Sequence, residues 1–214
     1  MKQENKYNKC LGLFIAKNNK FHKWKNQPFQ LEEMAMATDG INAIKIPIEL
    51  TENIDSILVE KEELLERIKT VLTSIESKEK EIIKVSDIVC VIGKTPLIDD
   101  FEECEYCEGH GKVDWDFEHF TKEDDCPSCH GYGKKKNSNN KVADNDWLIK
   151  IKETKLKHRF VLKLVQVCDI LEVDKIFIYS QTERSITFKV GECEILMMRN
   201  MEENDKFTEL IETP

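Results

Sequence analysis

The sequence lacks any run of apolar residues long enough to cross a membrane, which needs about 18 to 20 residues. Its first ten residues, MKQENKYNKC, contain no apolar stretch of the kind that a secretion signal requires. We therefore expect a cytoplasmic protein with no membrane contact. In that reducing compartment, the eight cysteines point to metal or redox chemistry rather than to a framework of disulfides.

Sequence features of catalysis are also missing. The sequence contains no recognisable nucleophile–base pair, phosphate-binding loop or open metal site, and His22, His119 and His158 lie in no motif. We expect no enzymatic activity, and thiol–disulfide exchange is the one reaction that merits a direct test.

Positive charge is scarce in one part of the chain. Between Asp99 and Gly133 only Lys112 and Lys122 oppose twelve acids, so this segment carries −10 while the whole chain carries −9. The rest of the chain is therefore close to neutral, at +1. The twelve acids are Asp99, Asp100, Glu102, Glu103, Glu105, Glu108, Asp114, Asp116, Glu118, Glu123, Asp124 and Asp125.

The acidic segment contains a duplicated cysteine motif, C-x-x-C-x-G-x-G. Its ligand candidates are Cys104 and Cys107 in the first copy and Cys126 and Cys129 in the second. Each C-x-x-C lets a tight turn offer two thiolates to one tetrahedral ion, and the glycines allow the chain to curve away from it. Four thiolates leave no open coordination position, so we predict one structural Zn²⁺ ion.

Three alternatives compete with zinc at this site: an iron–sulfur centre, a redox-active cysteine pair and a chance occurrence of the motif. An iron–sulfur centre uses the same four ligands and stays open at the level of sequence. A redox-active pair would not need the duplication, and the acidic surroundings would raise the thiol pKa values. His110 or His130 could replace a cysteine ligand. The remaining cysteines, Cys10, Cys90, Cys168 and Cys193, are expected to be small core residues.

Helix and strand patterns lie on both sides of the cysteine segment. The fold predicted from them is α+β, with two amphipathic helices on an antiparallel sheet and a small zinc-binding insertion that carries the four cysteines. We divide the chain into a first part of the domain (1–98), the insertion (99–136), a second part (137–200) and an acidic tail (201–214) of which we expect part to be disordered.

The elements are predicted from hydrophobic periodicity and turn residues. The helices are expected at 60–76 and 156–171, and Asp39-Gly40 predicts the turn of a hairpin over 33–47. Strands are expected near 11–15, 81–85, 87–92, 147–151, 174–180, 185–190 and 192–198. Residues 134–141, KKKNSNNK, are predicted to be a polar linker.

The duplicated cysteine motif resembles the zinc-binding region of DnaJ co-chaperones, with two repeats where that family has four. No His-Pro-Asp tripeptide occurs in the chain, so the resemblance does not extend to J-domain activity. The strong negative charge would repel phosphate, and we expect the insertion not to read nucleic acid.

Two segments outside the insertion resemble DNA sliding clamps of the DNA polymerase III beta type. The first is Met36-Ala-Thr-Asp-Gly40, followed by residues 54–72, and the second runs from Phe160 to Arg199 and ends in Ile-Leu-Met-Met-Arg. The basic residues that follow A-T-D-G in clamps are replaced by Ile41-Asn42, and the proline of the final motif is absent. The combination with the cysteine repeats resembles phage-type proteins.

The clamp resemblance implies a ring of about six such domains, with the polar faces of helices lining a DNA channel. Lys155, Arg159 and Lys163 recur at four-residue spacing in the predicted second helix and would form a basic stripe for phosphates. An ordinary solvated helix face would show the same pattern.

The leading hypothesis is therefore a non-enzymatic accessory protein of DNA replication or processing, of viral origin, with DNA, replication proteins and further copies of itself as partners. The alternative is an interaction or inhibitor module that binds a host or partner protein through the acidic insertion.

Overall fold

The computed structural model describes residues 5–55, 81–201 and 206–210. The chain forms two compact units, the first made of Met1–Thr95 with Asn145–Pro214 and the second of Pro96–Asp144. Helices and antiparallel sheets both contribute, which confirms the predicted α+β class. The predicted helix over 60–76 and residues 56–72 of the first clamp-like segment lie outside the described residues.

A seven-stranded antiparallel sheet organises the first unit. Its order is β1-β2-β3-β13-β12-β11-β4, so strands from the two ends of the chain are neighbours at its centre. The strands are β1 Phe29–Leu31, β2 Met34–Thr38, β3 Asn42–Pro47, β4 Glu81–Lys84, β11 Lys175–Gln181, β12 Ser185–Val190 and β13 Cys193–Met198.

The predicted hairpin at Asp39-Gly40 is confirmed as the connection between β2 and β3. Asp39 Oδ1 accepts hydrogen bonds from the backbone N–H groups of Ile41 (2.8 Å) and Asn42 (2.7 Å). Gly40 has a φ of 96°, which a residue with a side chain rarely adopts. The turn is therefore fixed by the side chain of Asp39 and by the backbone conformation of Gly40.

Three described helices cover the core side of this sheet: α1 Lys6–Gly12, α2 Val85–Ile92 and α3 His158–Leu171. Alternate strand residues, such as Ile44, Phe188 and Ile195, are fully buried against them in one hydrophobic cluster. Because successive strand residues point to opposite faces, only one face of the sheet contributes to this core.

A second, three-stranded sheet has the order β10-β9-β14. β9 Leu148–Ile151 and β10 Thr154–Lys157 form a hairpin that leads directly into α3, and β14 Phe207–Glu209 lies parallel to β9. Trp147 Nε1 donates to Thr208 Oγ1 at 3.0 Å. The tail was predicted to be partly disordered, but residues 207–209 of it form the strand β14.

Two strand predictions in this unit are wrong. Residues 6–12 form α1, whose first turn is capped by Asn5 Oδ1 at 2.8 Å from the Tyr7 N–H, and residues 85–92 form α2. The alternation of Leu11, Leu13 and Ile15 was misleading, because the residues that are buried, Cys10, Leu11 and Phe14, follow helical spacing. In α2 the buried Val85, Ile88 and Val91 also recur every three residues.

The predictions for the second half of the domain are largely confirmed. The three strands expected over 174–180, 185–190 and 192–198 are β11, β12 and β13. The helix expected from residue 156 begins at His158, because residues 154–157 are paired with β9 as β10. Cys10, Cys168 and Cys193 are buried as expected, whereas Cys90 is exposed on α2. Across the described residues, none of the helices has the length and apolar character that a membrane span requires.

The hairpin turn is tied to α3 by an ion pair. Lys163 Nζ lies 2.8 Å from Asp39 Oδ2, and both side chains are largely buried, at 24% and 17% exposure. Burial alone would raise the pKa of Asp39, but the N–H of Asn42 and the Lys163 ammonium outweigh it and lower that pKa.

We expect Asp39→Asn to lower the free energy of unfolding by about 1–2 kcal/mol at pH 7, because a charge-assisted hydrogen bond is lost. A carboxyl with a lowered folded-state pKa stabilises the fold above its unfolded pKa of about 3.9, and this contribution disappears as the pH falls. Urea unfolding between pH 7 and pH 2.5 should therefore show a weaker pH dependence for the variant. Asp174→Asn, at an exposed position with no ion pair among the described residues, is the control; identical pH profiles for all three proteins would refute the assignment.

Candidate metal centre

The four motif cysteines lie in the second unit, at the junction of two antiparallel strand pairs. β5 Leu97–Glu103 pairs with β8 Lys134–Ala143, and β6 Lys112–Phe117 pairs with β7 Phe120–Asp125. The segment predicted as a polar linker is therefore a strand. Its lysines and asparagines carry no hydrophobic pattern, but they lie opposite the acidic residues of β5, and Lys136 Nζ is 2.7 Å from Asp99 Oδ2.

The cysteines form a closed cluster. Cys104, Cys107, Cys126 and Cys129 are all buried, and their Sγ atoms lie within 4.8 Å of one another. The Sγ atoms of Cys104 and Cys126 are 3.8 Å apart, and those of Cys107 and Cys129 are 3.7 Å apart. Zn–S bonds of about 2.3 Å in a tetrahedron place sulfurs about 3.8 Å apart, whereas a disulfide needs about 2.05 Å. The four cysteines could hold one metal ion.

The two cysteine turns are related by an approximate twofold repeat in their hydrogen bonds. The N–H of Cys104 donates to the carbonyl of Gly133, and the N–H of Cys126 donates to the carbonyl of Gly111, both at 2.9 Å. Each turn is thus closed by the last glycine of the other motif. This reciprocity explains why the motif is duplicated: neither copy completes its own backbone pairing.

The sulfurs also receive backbone donors. The N–H of Gly111 lies 3.2 Å from Cys107 Sγ, and the N–H of Gly133 lies 3.1 Å from Cys129 Sγ. Such donors orient and stabilise thiolates that bind a metal. The motif spacing predicts only a role in chain curvature for the glycines; the second glycine of each motif in fact faces a sulfur.

Glycine is required at these two positions for steric reasons as well. Gly111 and Gly133 have φ angles of 76° and 69°. A Cβ atom on Gly111 would overlap the carbonyl oxygen of Gly131, and one on Gly133 would overlap that of Gly109. The two motifs approach each other through their backbones, and a side chain of any size would separate them.

The pKa values of the cysteine thiols in this cluster differ. Burial would raise the pKa of Cys104, but the backbone N–H groups of Cys107 and Tyr106 outweigh it and lower that pKa to about 6. Burial, helped by the neighbouring thiols, raises the pKa of Cys129 to about 11. Four sulfurs in contact cannot all become thiolates without a cation among them, and a metal ion bound at this site would release their protons.

The two histidines beside the motifs do not join the cluster. His110 and His130 are exposed, and the group of described residues that could hold a metal ion contains cysteines alone. The alternative in which one of these histidines replaces a cysteine has no geometric support.

Lys155, Arg159 and Lys163 do not form one helical stripe. Lys155 lies on β10 and not on α3, since α3 begins only at His158. Its Nζ is 4.6 Å from the centre of the Phe207 ring. Arg159 NH1 is 3.4 Å from Asp146 Oδ1, and Lys163 pairs with Asp39. The exposed positions of α3 are Arg159, Leu162, Gln166 and Asp169, which offer one positive and one negative charge.

We expect Gly111→Ala to lower the affinity for the metal at least about tenfold. The alanine would be strained at a positive φ by about 1–2 kcal/mol and would push the two motifs apart. Metal content after competition with a chelator is the measurement. Gly12→Ala is the matched control, since nothing lies within 4 Å of a Cβ there; equal metal retention by both variants would contradict the steric argument.

Comparison with known proteins finds similarity only among solved structures, since no family model and no curated protein matches this chain. The DNA polymerase III beta subunit of Thermotoga maritima has 10% identity and a TM-score of 0.45, over 94% of this chain and 63% of its own. The Streptococcus pneumoniae beta chain has 9% identity and a TM-score of 0.48 (94% and 65%). The DNA polymerase sliding clamp of Bacillus subtilis has 10% identity and a TM-score of 0.47 (94% and 63%). The chain thus spans less than two thirds of the length of these proteins.

Proposed function

We propose that this chain is a non-enzymatic, sliding-clamp-like accessory protein of DNA replication or processing, encoded by a virus and stabilised by one structural Zn²⁺ ion. The observation that carries the proposal is that the described parts of the two clamp-like sequence segments, which are distant in the chain, contribute strands to one seven-stranded sheet. β3, which follows A-T-D-G, pairs with β13, which contains I-L-M-M, with Ile44 opposite Ile195 and Asn42 opposite Met197.

A second contact joins the same two segments. Asp39 of A-T-D-G accepts the charge-assisted hydrogen bond from Lys163, which belongs to the second clamp-like segment and lies 124 positions further along. The clamp-like residues therefore support one another by a strand ladder and by an ion pair, as expected for parts of a single domain rather than for two chance matches.

Zinc suits this site because four buried thiols, whose sulfurs lie within 4.8 Å of one another, form a closed set of soft ligands. Cys104, Cys107, Cys126 and Cys129 would hold the ion, and its contribution would be to fold the second unit. Four protein ligands leave no position for substrate, which agrees with a structural role.

Mass in solution together with metal analysis tests the proposal. We expect about one zinc per chain, assembly into a ring of several copies, and binding of duplex DNA that weakens as salt is raised. Iron with visible absorption would replace the zinc assignment, and a monomer without salt-sensitive DNA binding would contradict the clamp-like role.

We expect Cys104→Ser to lose its stoichiometric zinc and to make residues 96–144 sensitive to protease, because structural zinc supplies folding free energy. The first unit should remain folded, since its hydrophobic cluster contains none of the four cysteines. Circular dichroism and limited proteolysis give the readouts. Cys90→Ser, at an exposed position on α2, should leave zinc content and protease resistance unchanged; global unfolding of the Cys104 variant alone would show that the two units fold together.

A second candidate function is suggested by the β6–β7 hairpin, which would bind a basic surface of a host or partner protein. All residues of β7 are exposed, and the hairpin places the exposed aromatic side chains of Trp115 and Phe120 on one face and acids such as Asp114 and Glu123 on the other. Shortening the hairpin between Val113 and Asp124 should abolish partner capture while zinc content is kept. Capture that survives the shortening would exclude the hairpin.

A further inference from the structure

The N-terminal part of the first unit contains a basic segment without acids, and this segment lies outside the DNA contacts expected of α3. Residues 5–31 contain six lysines and no acid, within a chain whose net charge is −9. The lysines are Lys6, Lys9, Lys17, Lys20, Lys23 and Lys25.

Lys17, Lys20 and Lys23 are exposed in the connection between α1 and β1, and none of them forms an ion pair with a residue of the described ranges. Lys25 Nζ lies beside Gly40 of the hairpin turn, which brings Asp39 of the same turn near this connection. Lys163 already neutralises Asp39 at 2.8 Å. The three exposed ammonium groups therefore present their charge to solvent.

This connection is held in one shape by its own hydrogen bonds. The N–H of Asn19 donates to Asn26 Oδ1 at 2.8 Å, and Asn26 Nδ2 donates back to the carbonyl of Asn19 at 3.1 Å. Asn19 Oδ1 accepts from the N–H of Phe21 (3.1 Å) and of His22 (2.8 Å). The N–H of Ala16 donates to the carbonyl of Lys25 at 2.8 Å. A surface fixed in this way loses little conformational entropy when a ligand binds.

Phe21 lies among these lysines, and its side chain is not packed against the rest of the fold. Phe21 is 94% exposed, the highest value of any large hydrophobic side chain in the described residues. Trp24, three positions later, is anchored edge-on against Phe29 at 5.5 Å between ring centres. The ring of Phe21 is thus free to receive a flat partner, while the loop beneath it is attached to the fold.

We infer that residues 17–25 form a binding site for single-stranded nucleic acid, in which Phe21 stacks on a base and Lys17, Lys20 and Lys23 contact phosphates. Exposed aromatic rings interleaved with cations are the arrangement that binds single strands, because an unpaired base offers its π-face whereas a duplex hides it. A membrane or an acidic protein would satisfy the lysines but would not require an isolated stacking ring. The site does not depend on ring assembly, and it is distinct from any duplex contact of the proposed clamp-like function.

Fluorescence anisotropy with the full chain tests the site, using labelled dT15, rU15 and a 15-base-pair DNA duplex between 50 and 200 mM salt. We expect the single strands to bind more tightly than the duplex, and comparison of dT15 with rU15 shows whether the natural ligand is DNA or RNA. Phe21→Ala should weaken single-strand binding about tenfold with little change in its salt dependence.

Substitution of the lysines, unlike that of Phe21, should mainly change the salt dependence of single-strand binding. Changing Lys17, Lys20 and Lys23 together to Gln should lower the slope of log affinity against log salt by about 2, since each phosphate contact contributes about 0.7. The matched controls are Phe101→Ala, at an exposed aromatic of the second unit, and the triple change of Lys134, Lys135 and Lys136 to Gln. Neither control should alter single-strand binding.

Several outcomes would overturn the inference. They are equal binding of duplex and single strand with no effect of Phe21→Ala, absence of binding to either single strand at 50 mM salt, or an equal loss from the control variants. Phe21→Trp keeps the test valid if the alanine variant folds poorly, because stacking should preserve affinity and quench the new indole fluorescence. If the single-strand test fails but duplex binding persists in variants of Phe21 and the three lysines, this site is refuted and the proposed clamp-like function is not.

Discussion

The ladder between β3 and β13 is the contact on which the first unit depends. It joins a hairpin from the N-terminal part of the chain to a meander from the C-terminal part, and it places Ile44 and Ile195 side by side in one core. Without it, the sheet would separate into two pieces, each with a hydrophobic face exposed. Because both partners are fixed by neighbours on their other sides, β2 and β12, the register leaves no freedom for the strands to slip.

This central pairing also explains how the chain accommodates a separate unit between its two halves. Residues 96–144 form their own strand pairs and their own buried cluster. That cluster consists of four cysteines with the partly buried Val113, which is too few apolar groups to stabilise a domain of this size. A metal ion would supply what the missing hydrophobic core does not, in the way that small metal-binding domains commonly fold.

Charge is separated along the chain in a way that overall composition conceals. Acids are concentrated around the cysteine motifs, whereas residues 5–31 contain six lysines and no acid. In β5 and β8 opposite charges face each other across the ladder, as between Asp99 and Lys136. Around Phe21, by contrast, Lys17, Lys20 and Lys23 form no ion pair within the part of the chain that the structure describes. The difference separates a surface whose charges are satisfied internally from one that is available to an external anion.

The sequence by itself determined the four-cysteine cluster, the Asp39-Gly40 turn and the three C-terminal strands. These depend on local chemistry: C-x-x-C spacing places two thiols on one turn, Gly40 permits a positive φ, and alternation over 185–198 identifies one buried face. Only the tertiary structure decided that residues 6–12 and 85–92 are helices, since their short apolar patterns fit a strand equally well until their packing against α3 is known. It also decided that β8 is a strand, because a polar segment gains that form only from the partner opposite it. The position of Lys163 could not be predicted from the sequence either. Its four-residue spacing from Arg159 predicted that it would be exposed, but the hairpin turn places Asp39 beside it. No local sequence pattern encodes the contact between that turn and α3.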